Sequence, residues 1–281
     1  MLHIVTDGAA DMPPEWVDQY EIHVIPINIQ FGDQTYLQGV DISEAGFYRL
    51  VSESGKVPGT AQPSPFQFTQ FYEKIAAEGD TILSLHVTRK LSGTYEAAVA
   101  AARELARKFN VVPFDSGAGS AALGMMCREA RLMQRSGAPV AQIVEYLFRV
   151  RKRLQIVLTL DTLDYARMSG RVGLLQASLA SLLDVKPIVV LRNGLLEMEE
   201  RVRTRSRSIE RVLEIVHQRF DRELLDAAVV HACDPDTAAI LHKQAESSLN
   251  LRNLYTTSLS ISVAANLGPG TVGLVAYPVG V

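Results

Sequence analysis

Short runs of β-forming residues alternate along this chain with longer segments of helical character, and this alternation limits the possible folds more than any other feature of the sequence. Such an alternation is typical of a parallel or mixed sheet that is covered by helices. In the first half of the chain the order is regular, as in βαβ units. The sequence therefore predicts an α/β fold.

The second half is less regular, because the segment 189–203 reverses its direction at Asn193-Gly194. Asn-Gly between two β-forming runs is a strong signal for an antiparallel hairpin. A chain of 281 residues is long enough for two domains of ordinary size. We place the boundary after the basic cluster at 149–153, which predicts an N-terminal α/β domain at 1–154 and a C-terminal α/β domain at 155–281.

The composition excludes several classes of protein. With 28 Lys and Arg against 31 Asp and Glu, the chain has no net positive charge that would hold nucleic acid. Cys127 and Cys233 lie outside any CxxC motif, which is typical of a reduced, cytoplasmic protein. Asp7 interrupts the first apolar run, so we expect no signal peptide. Glycines and prolines break the uncharged stretch 253–281, so we expect no membrane insertion.

Two loops of the first half follow a predicted strand, precede a predicted helix and contain small hydroxyl residues. In the first, Ser64 and Gln67 have the spacing of a capping box, whereas Thr60 lies upstream of the cap and is not explained by it. In the second, residues 92–94 (Ser-Gly-Thr) place unpaired N–H groups at a helix N-terminus, where a carboxylate or phosphate could bind. Ordinary helix capping by Ser92 would give the same pattern.

Asp7 and Asp115 end two predicted strands, at the sheet edge where open α/β folds bind ligands. The sequence lacks several common catalytic motifs, which does not favour an enzymatic function. The Gly117-Ala-Gly119 loop lacks the third glycine of a dinucleotide fingerprint, and the sequence contains neither a P-loop nor HExxH. The histidines show no metal-ligand spacing. We therefore expect no catalytic residue, no metal and no cofactor.

A basic segment follows the predicted hairpin. Four arginines alternate with other residues there, and a strand would place all four on one side: Arg201, Arg203, Arg205 and Arg207. The simplest interpretation is a solvated edge that blocks aggregation. One or two of them could instead contact a phosphate or an acidic partner, because arginine binds such groups with two parallel hydrogen bonds.

Seven motifs together resemble the DegV family, in order and spacing and over essentially the whole chain. They are TDGAAD at 6–11, GTAQPS at 59–64, KLSGTY at 90–95, FDS at 114–116, TLDYARMSGR at 162–171, KPI at 186–188 and GPG at 268–270. The resemblance implies two α/β domains, with a parallel, three-layer N-terminal domain and a mixed-sheet C-terminal domain. It also implies a tunnel between them that holds one long-chain fatty acid.

The resemblance implies a function as well. Family members act as the binding subunit of fatty acid kinase and present the carboxyl group to a separate ATP-using kinase subunit. Thr60 and Ser92 match the hydroxyls that hold this carboxyl group, with Gly93 and Thr94 beside them. Asn266 matches a position of the same head-group network. Two further positions match arginines implicated in phosphoryl transfer or kinase contact, namely Arg171 and Arg203.

The sequence departs from the family pattern at four positions: Gly8 for Ser, Ala61 for Ser, Ser169 for Gly and Asn266 for His. Asparagine can donate a hydrogen bond to a carboxylate but cannot carry the imidazole proton. Fatty-acid binding should therefore survive this change more easily than kinase-coupled turnover. Two alternatives stay open, a stand-alone lipid carrier and an acyl-transfer enzyme that uses Ser92 as its nucleophile.

Overall fold

The computed structural model describes residues 1–171 and 185–281, so the helix predicted at 174–183 lies outside the described residues. The chain divides into two compact units. The first contains Met1–Arg151 together with Ser260–Ser262, and the second contains Lys152–Leu259 together with Val263–Val281.

The chain up to Arg153 begins with a strand and then alternates helices with short strands. Its elements are β1 (Leu2–Asp7), α1 (Glu15–Gln19), β2 (Ile22–Ile25), β3 (Asn28–Phe31), β4 (Gln34–Leu37), α2 (Glu44–Ser54), β5 (Gly59–Ala61), α3 (Pro65–Ile75), β6 (Thr81–His86), α4 (Thr94–Glu104), β7 (Asn110–Asp115), α5 (Ser120–Arg135) and α6 (Val140–Arg153).

The first unit is built on a four-stranded sheet in the order β2-β1-β6-β7. All of its strand pairs are parallel, which confirms the prediction for this half of the chain. Val5 and Ile82 face α3 and α4 in one apolar cluster. Alternate residues of a strand point to opposite faces, and Thr6 accordingly contacts Cys127 of α5. Helices therefore cover both faces, which gives three layers.

A smaller antiparallel sheet, in the order β4-β3-β5, belongs to the same unit. We predict a single strand over residues 23–31 from the sequence, and this prediction is wrong. The structure has β2 in the parallel sheet and β3 in the small sheet, with Pro26 between them. Proline has no backbone N–H, so it cannot continue a hydrogen-bonded ladder.

In the described residues of the second half the strands are longer, and two of the helices are long. Its elements are β8 (Gln155–Thr159), α7 (Asp164–Ser169), β9 (Lys186–Arg192), β10 (Leu195–Val202), α8 (Arg205–Phe220), β11 (Leu225–His231), α9 (Pro235–Ser248), β12 (Leu251–Ser258), α10 (Ile261–Leu267) and β13 (Val272–Pro278).

In the described residues of the second unit, six strands form one sheet in the order β10-β9-β8-β13-β11-β12. Only the pair of β11 and β12 is parallel in this sheet as described, so the sheet is mixed, as predicted. The predicted hairpin is confirmed, because β9 and β10 are antiparallel neighbours. Its turn has positive φ at both Asn193 (50°) and Gly194 (80°), as a type I′ turn requires.

The prediction that four arginines share one strand face is wrong for three of them, because only Arg201 lies on a strand. β10 ends at Val202, and the side chain of Thr204 accepts a hydrogen bond from the Arg207 N–H and so caps α8. Arg205 and Arg207 are therefore helical, because a threonine cap favours helix initiation over continuation of the strand. Arg203 lies exposed between the two elements.

Candidate functional site

Thr60 and the cap of α3 have separate roles in the structure. The Ser64 Oγ accepts from the Gln67 N–H at 3.2 Å, and the Gln67 Oε1 accepts from the Ser64 N–H at 2.8 Å. The predicted capping box is thus confirmed. Thr60 lies upstream on β5, opposite Ile29 of β3, and is half-buried. Helix capping does not account for this threonine.

Ser92 stands two residues before the start of α4. Its Oγ lies 2.8 Å from the Thr94 Oγ1 and accepts from the Thr94 N–H at 3.3 Å, a local turn of the kind that serine favours. The N-cap of α4 is Gly93, and no side chain caps the helix there, so the interpretation of Ser92 as an ordinary helix cap is wrong. A serine oxygen has one donor and two acceptor positions, and Ser92 is half-buried. Its hydroxyl can thus serve the turn and still meet a ligand.

The loops that carry Thr60 and Ser92 meet at Gly93. A Cβ atom added at Gly93 would lie 2.5 Å from the Nε2 of Gln62, so a side chain there would collide with the Gln62 amide. Gln62 follows Thr60 by two residues, and Gly93 follows Ser92 directly. The fold therefore brings together two loops that are about thirty residues apart in sequence.

A chain of fully buried polar side chains lies beneath these loops. The Asp7 Oδ2 is 3.0 Å from the His86 Nδ1, the His86 Nε2 is 2.7 Å from the Ser84 Oγ, and the Ser84 Oγ is 2.8 Å from the Tyr72 Oη. All four side chains are buried. We call Tyr72, Ser84, His86 and Asp7 the buried polar chain. Sequence reasoning placed Asp7 at a strand end but missed the other three residues.

One feature of the sequence indicates part of the buried polar chain. Ser84 and His86 are two residues apart in an otherwise apolar strand, so both point to the same face. That face packs on α3, where Tyr72 lies one turn after Phe68. A polar residue on the core face of a strand needs a buried partner. The partner Asp7, however, is 79 residues away from His86 in sequence.

The donor and acceptor roles in the buried polar chain can be assigned from the hydrogen bonds of Asp7. Both of its oxygens accept from backbone N–H groups, so the His86 tautomer that carries its proton on Nδ1 fits as a donor to Asp7. In that tautomer the His86 Nε2 accepts from the Ser84 hydroxyl, which in turn accepts from Tyr72. Burial raises the pKa of the Tyr72 hydroxyl well above its usual value, so this group stays protonated and can donate.

Asp11 is a second buried carboxyl of the first unit. It accepts from the Ser120 Oγ at 2.6 Å and from the Ser260 N–H at 2.8 Å. Burial raises the pKa of the Asp11 carboxyl from 3.8 to about 6, and these hydrogen bonds limit the rise. Next to this contact, the Gln38 Oε1 accepts from the Ser262 N–H at 3.0 Å. Asp11 and Gln38 thus hold the segment Ser260–Ser262 in the first unit.

Two predicted residues of the second unit meet at Ser169. The Ser169 Oγ donates to the backbone oxygen of Asn266 at 3.4 Å, and the guanidinium of Arg171 donates to the backbone oxygen of Ser169. Gly170, between Ser169 and Arg171, ends α7 in the left-handed conformation with φ of 69°. Two positions that depart from the family pattern, 169 and 266, are therefore in contact. No such contact links Arg203 to them among the described residues.

The turn after Asn266 is tightly packed. Gly268 and Gly270 both have positive φ, and a Cβ atom on either would lie 2.7 Å from a side-chain atom, of Tyr165 and Asp161 respectively. The Arg205 Nη2 donates to the backbone oxygen of Gly270 at 2.6 Å. This packing explains why a Gly-Pro-Gly turn follows Asn266, since only glycine fits both the conformation and the space.

Two features that the described residues lack bear on other kinds of site. Within 1–171 and 185–281, no three side chains of His, Cys, Asp or Glu are grouped as a metal site would require. None of the helices in those ranges combines the length and apolar character that a membrane-spanning helix needs.

Comparison with known families identifies the chain. A model described as that of the DegV family matches residues 1–279. The chain belongs to the DegV family. Among its relatives, a DegV domain-containing protein of Streptomyces coelicolor is 34% identical over 274 residues, which cover 97% of this chain and 96% of the relative. One from Deinococcus radiodurans is 33% identical over 279 residues, which cover 98% of each chain.

Solved structures of DegV proteins share the fold of this family member. A DegV family protein from Thermus thermophilus, described for its fatty acid binding, is 30% identical, with a TM-score of 0.91 and 99% of each chain covered. DegV of Bacillus subtilis, described as a fatty acid binding protein, is 27% identical, with a TM-score of 0.86 and 99% of each chain covered. The predicted fold class is confirmed by this agreement.

Proposed function

We propose that this DegV family member binds a long-chain fatty acid in a buried tunnel and presents the carboxyl group to a separate, ATP-using kinase subunit. The observation that carries the binding proposal is the contact between the Thr60 and Ser92 loops at Gly93. It is supported by the similarity to the fatty-acid-binding DegV proteins of Thermus thermophilus and Bacillus subtilis.

The tail and the head group would contribute in different ways. Burial of about 15 methylenes at about 0.8 kcal/mol each amounts to about 12 kcal/mol before ordering costs. A hydrogen bond to a charged head group contributes only about 1.5–3 kcal/mol. The tail would therefore determine the affinity, and the head-group contacts would determine which end of the ligand meets the polar loops.

Neutral donors would hold the carboxylate. Thr60 and Ser92 would supply hydroxyls, and Gly93 would supply a backbone N–H group at the start of α4, where the helix dipole favours an anion. Thr94, whose N–H donates to the Ser92 Oγ, would hold that hydroxyl in place. Asn266 would supply an amide donor. A buried carboxylate without such donors would be costly. We assign no catalytic residue and no cofactor to this site, and the fatty acid is its ligand.

The kinase part of the proposal depends on Arg171 and Arg203. Arginine recognises phosphate with two parallel hydrogen bonds, so both are proposed to contact the phosphoryl group or the kinase subunit. Arg203 is exposed and Arg171 is half-buried. Asn266 favours one competing function, a stand-alone lipid carrier, because an amide cannot transfer a proton.

Binding is tested with palmitic acid and its methyl ester as probes. We expect fatty acid to co-purify and to be identified by mass spectrometry after extraction. Thr60→Val and Ser92→Ala should each weaken acid binding about tenfold or more, the equivalent of a charged hydrogen bond, and leave ester binding unchanged. Ser64→Ala is the control, since its hydroxyl only caps α3. Unchanged acid binding in both variants would contradict the assigned head-group site.

Kinase coupling is tested by adding ATP and a fatty acid kinase subunit. We expect acyl phosphate with the wild type, a faster rate with Asn266→His, and slower rates with Arg171→Ala and Arg203→Ala at unchanged acid affinity. Absence of acyl phosphate with both the wild type and Asn266→His would favour the carrier. A covalent adduct on Ser92 after incubation with an activated acyl ester would instead favour acyl transfer.

A further inference from the structure

We propose that the buried polar chain positions the Ser92 loop for recognition of a carboxylate, with Asp7 and His86 as positioning residues of the head-group site. This inference rests on the proposed binding function. According to this proposal, the buried residues under the Thr60 and Ser92 loops allow the protein to distinguish a free acid from an uncharged ester. The contacts with the tail are the same for both ligands.

Asp7 is the residue of the buried polar chain that connects two strand ends. Its Oδ2 accepts from the His86 ring and from the Val87 N–H, both at 3.0 Å, and its Oδ1 accepts from the Ala9 N–H at 2.9 Å. Asp7 therefore ties the end of β1 to the end of β6. Hydrogen bonds to a charged acceptor are short and strong in a buried site, so they fix the position of each donor.

A short path leads from this junction to Ser92. The residue after Val87, Thr88, donates its N–H to the Ala118 oxygen at 2.7 Å, and the Thr88 oxygen accepts from the Ser92 N–H at 3.2 Å. Val87 is fixed by Asp7, Thr88 by Ala118, and Ser92 by Thr88. A displacement of His86 or Asp7 would thus move the Ser92 hydroxyl, although neither side chain touches it.

The other end of the buried polar chain, Tyr72, lies on α3, the helix that follows Thr60. Tyr72 on α3 is linked through Ser84 to His86, and Phe68, one turn earlier on α3, packs edge-on against the His86 ring with 5.1 Å between ring centroids. α3 begins at Pro65, five residues after Thr60. The chain therefore ties the elements that carry both head-group loops to one buried carboxylate.

The complete burial of the buried polar chain favours a role in positioning the Ser92 loop over a role in catalysis. The order Asp, His, Ser is that of a hydrolase triad, but all three side chains have no exposed surface, so no substrate can reach Ser84. Apolar residues of similar size would avoid the cost of desolvating four polar groups. A fully satisfied polar network instead specifies one geometry, which is what a loop that must hold a hydroxyl near a carboxylate requires.

The test measures the ratio of the Kd for methyl palmitate to the Kd for palmitic acid. His86→Leu removes the donor to Asp7, and we expect this ratio to fall about tenfold, equivalent to 1.4 kcal/mol, with ester affinity unchanged. His86→Asn keeps an N–H at the Nδ1 position and should restore most of the ratio. Ser84→Ala breaks the link to α3 and removes the partner of the His86 Nε2, but it keeps the contact between His86 and Asp7, so it is the milder variant if His86→Leu does not fold.

Phe68→Leu is the matched control, because it perturbs the same apolar contact without touching a hydrogen bond. We expect Phe68→Leu to lower the stability of the protein and to leave the ester-to-acid Kd ratio unchanged. The inference is overturned if folded His86→Leu and Ser84→Ala keep the wild-type ratio, or if Phe68→Leu loses it equally. A wild type that binds neither probe would instead refute the proposed binding function, so the two failures are distinguishable.

Discussion

Among the described residues, Asp7 of the first unit and Asp226 of the second have no exposed surface, and the two carboxylates are held by different kinds of donor. Asp7 of the first unit accepts from two backbone N–H groups and from the ring of His86. Asp226 of the second unit accepts from the Arg252 Nε at 2.9 Å and from the Asn253 Nδ2 at 2.8 Å. Both arrangements meet the requirement that a buried charge be fully hydrogen-bonded.

Asp7 and Asp226 differ in their position in the sheet, and we infer that this position determines what each buried carboxylate affects. Asp7 lies at the carboxyl end of β1, the edge at which open α/β sheets bind ligands, and its backbone donors belong to the adjoining loops. Asp226 is the second residue of β11, and its donors lie on the neighbouring strands β12 and β13. We therefore expect Asp7 to affect both stability and recognition, and Asp226 to affect stability alone.

Replacing each aspartate by alanine tests this difference most directly. We expect Asp7→Ala to lower the free energy of unfolding by about 4 kcal/mol, because three buried donors lose their acceptor. Asp226→Ala should cost about 3 kcal/mol, less because the partly exposed Arg252 can turn to solvent. Urea unfolding gives both values.

The ester-to-acid Kd ratio then separates the two variants. It should fall for Asp7→Ala and stay at the wild-type value for Asp226→Ala, measured below the denaturant or temperature at which either variant unfolds. Equal ratios in the two variants would show that position at the sheet edge does not matter. Asp7→Asn, which keeps one oxygen acceptor, should lie between the wild type and Asp7→Ala.

Asp11 is a buried carboxyl whose hydrogen bonds do not fully offset the effect of burial on its pKa. Its pKa of about 6 in the folded protein exceeds the ordinary value of 3.8, so the unfolded state loses the proton first as pH rises. Stability should therefore fall between pH 4 and pH 6 and stay lower above that range. At 1.36 kcal/mol per pKa unit, the cost is about 2–3 kcal/mol.

The measurement is urea unfolding of the wild type and of Asp11→Asn from pH 4 to pH 7. The stability of the asparagine variant relative to the wild type should increase across this range, because the variant has no carboxyl to ionise. Parallel pH profiles for the two proteins would contradict the assigned pKa. Ser64→Ala, which removes no titratable group, should run parallel to the wild type.

The smallest expected effect concerns the end of the buried polar chain. Tyr72→Phe removes one hydroxyl and leaves the aromatic packing, so it should cost about 1 kcal/mol. We expect the ester-to-acid ratio to change by less than about threefold, since Asp7 and His86 keep their mutual contact. A larger loss of the ratio than His86→Leu produces would place the critical link at α3 rather than at Asp7.

Much of the fold was predictable where the signal is local. The Asn193-Gly194 hairpin and the Ser64 capping box follow from patterns a few residues long. The parallel character of the first sheet follows from the regular alternation of strands and helices. Prediction failed where one residue overrode a longer pattern. Pro26 divides an apparent strand between two sheets, and the Thr204 cap turns an alternating arginine segment into a helix.

The candidate site was predictable only in part. The motifs indicated Thr60 and Ser92, but the contact of their loops through Gln62 and Gly93 depends on how β5 and α4 pack. The hydrogen bond between Asp7 and His86 joins residues of neighbouring parallel strands that are 79 positions apart. No spacing rule connects such residues, since the strand order β2-β1-β6-β7 determines which strand ends become neighbours.

Helix starts and turns could be predicted from the sequence itself, because capping hydrogen bonds, proline geometry and positive φ act over two to four residues. The family motifs likewise marked which loops to examine. Packing alone decided that Tyr72, Ser84, His86 and Asp7 share one buried network and that Ser169 touches Asn266. Those contacts exist only once burial has brought distant strands and helices together, and burial depends on the whole fold rather than on any one segment.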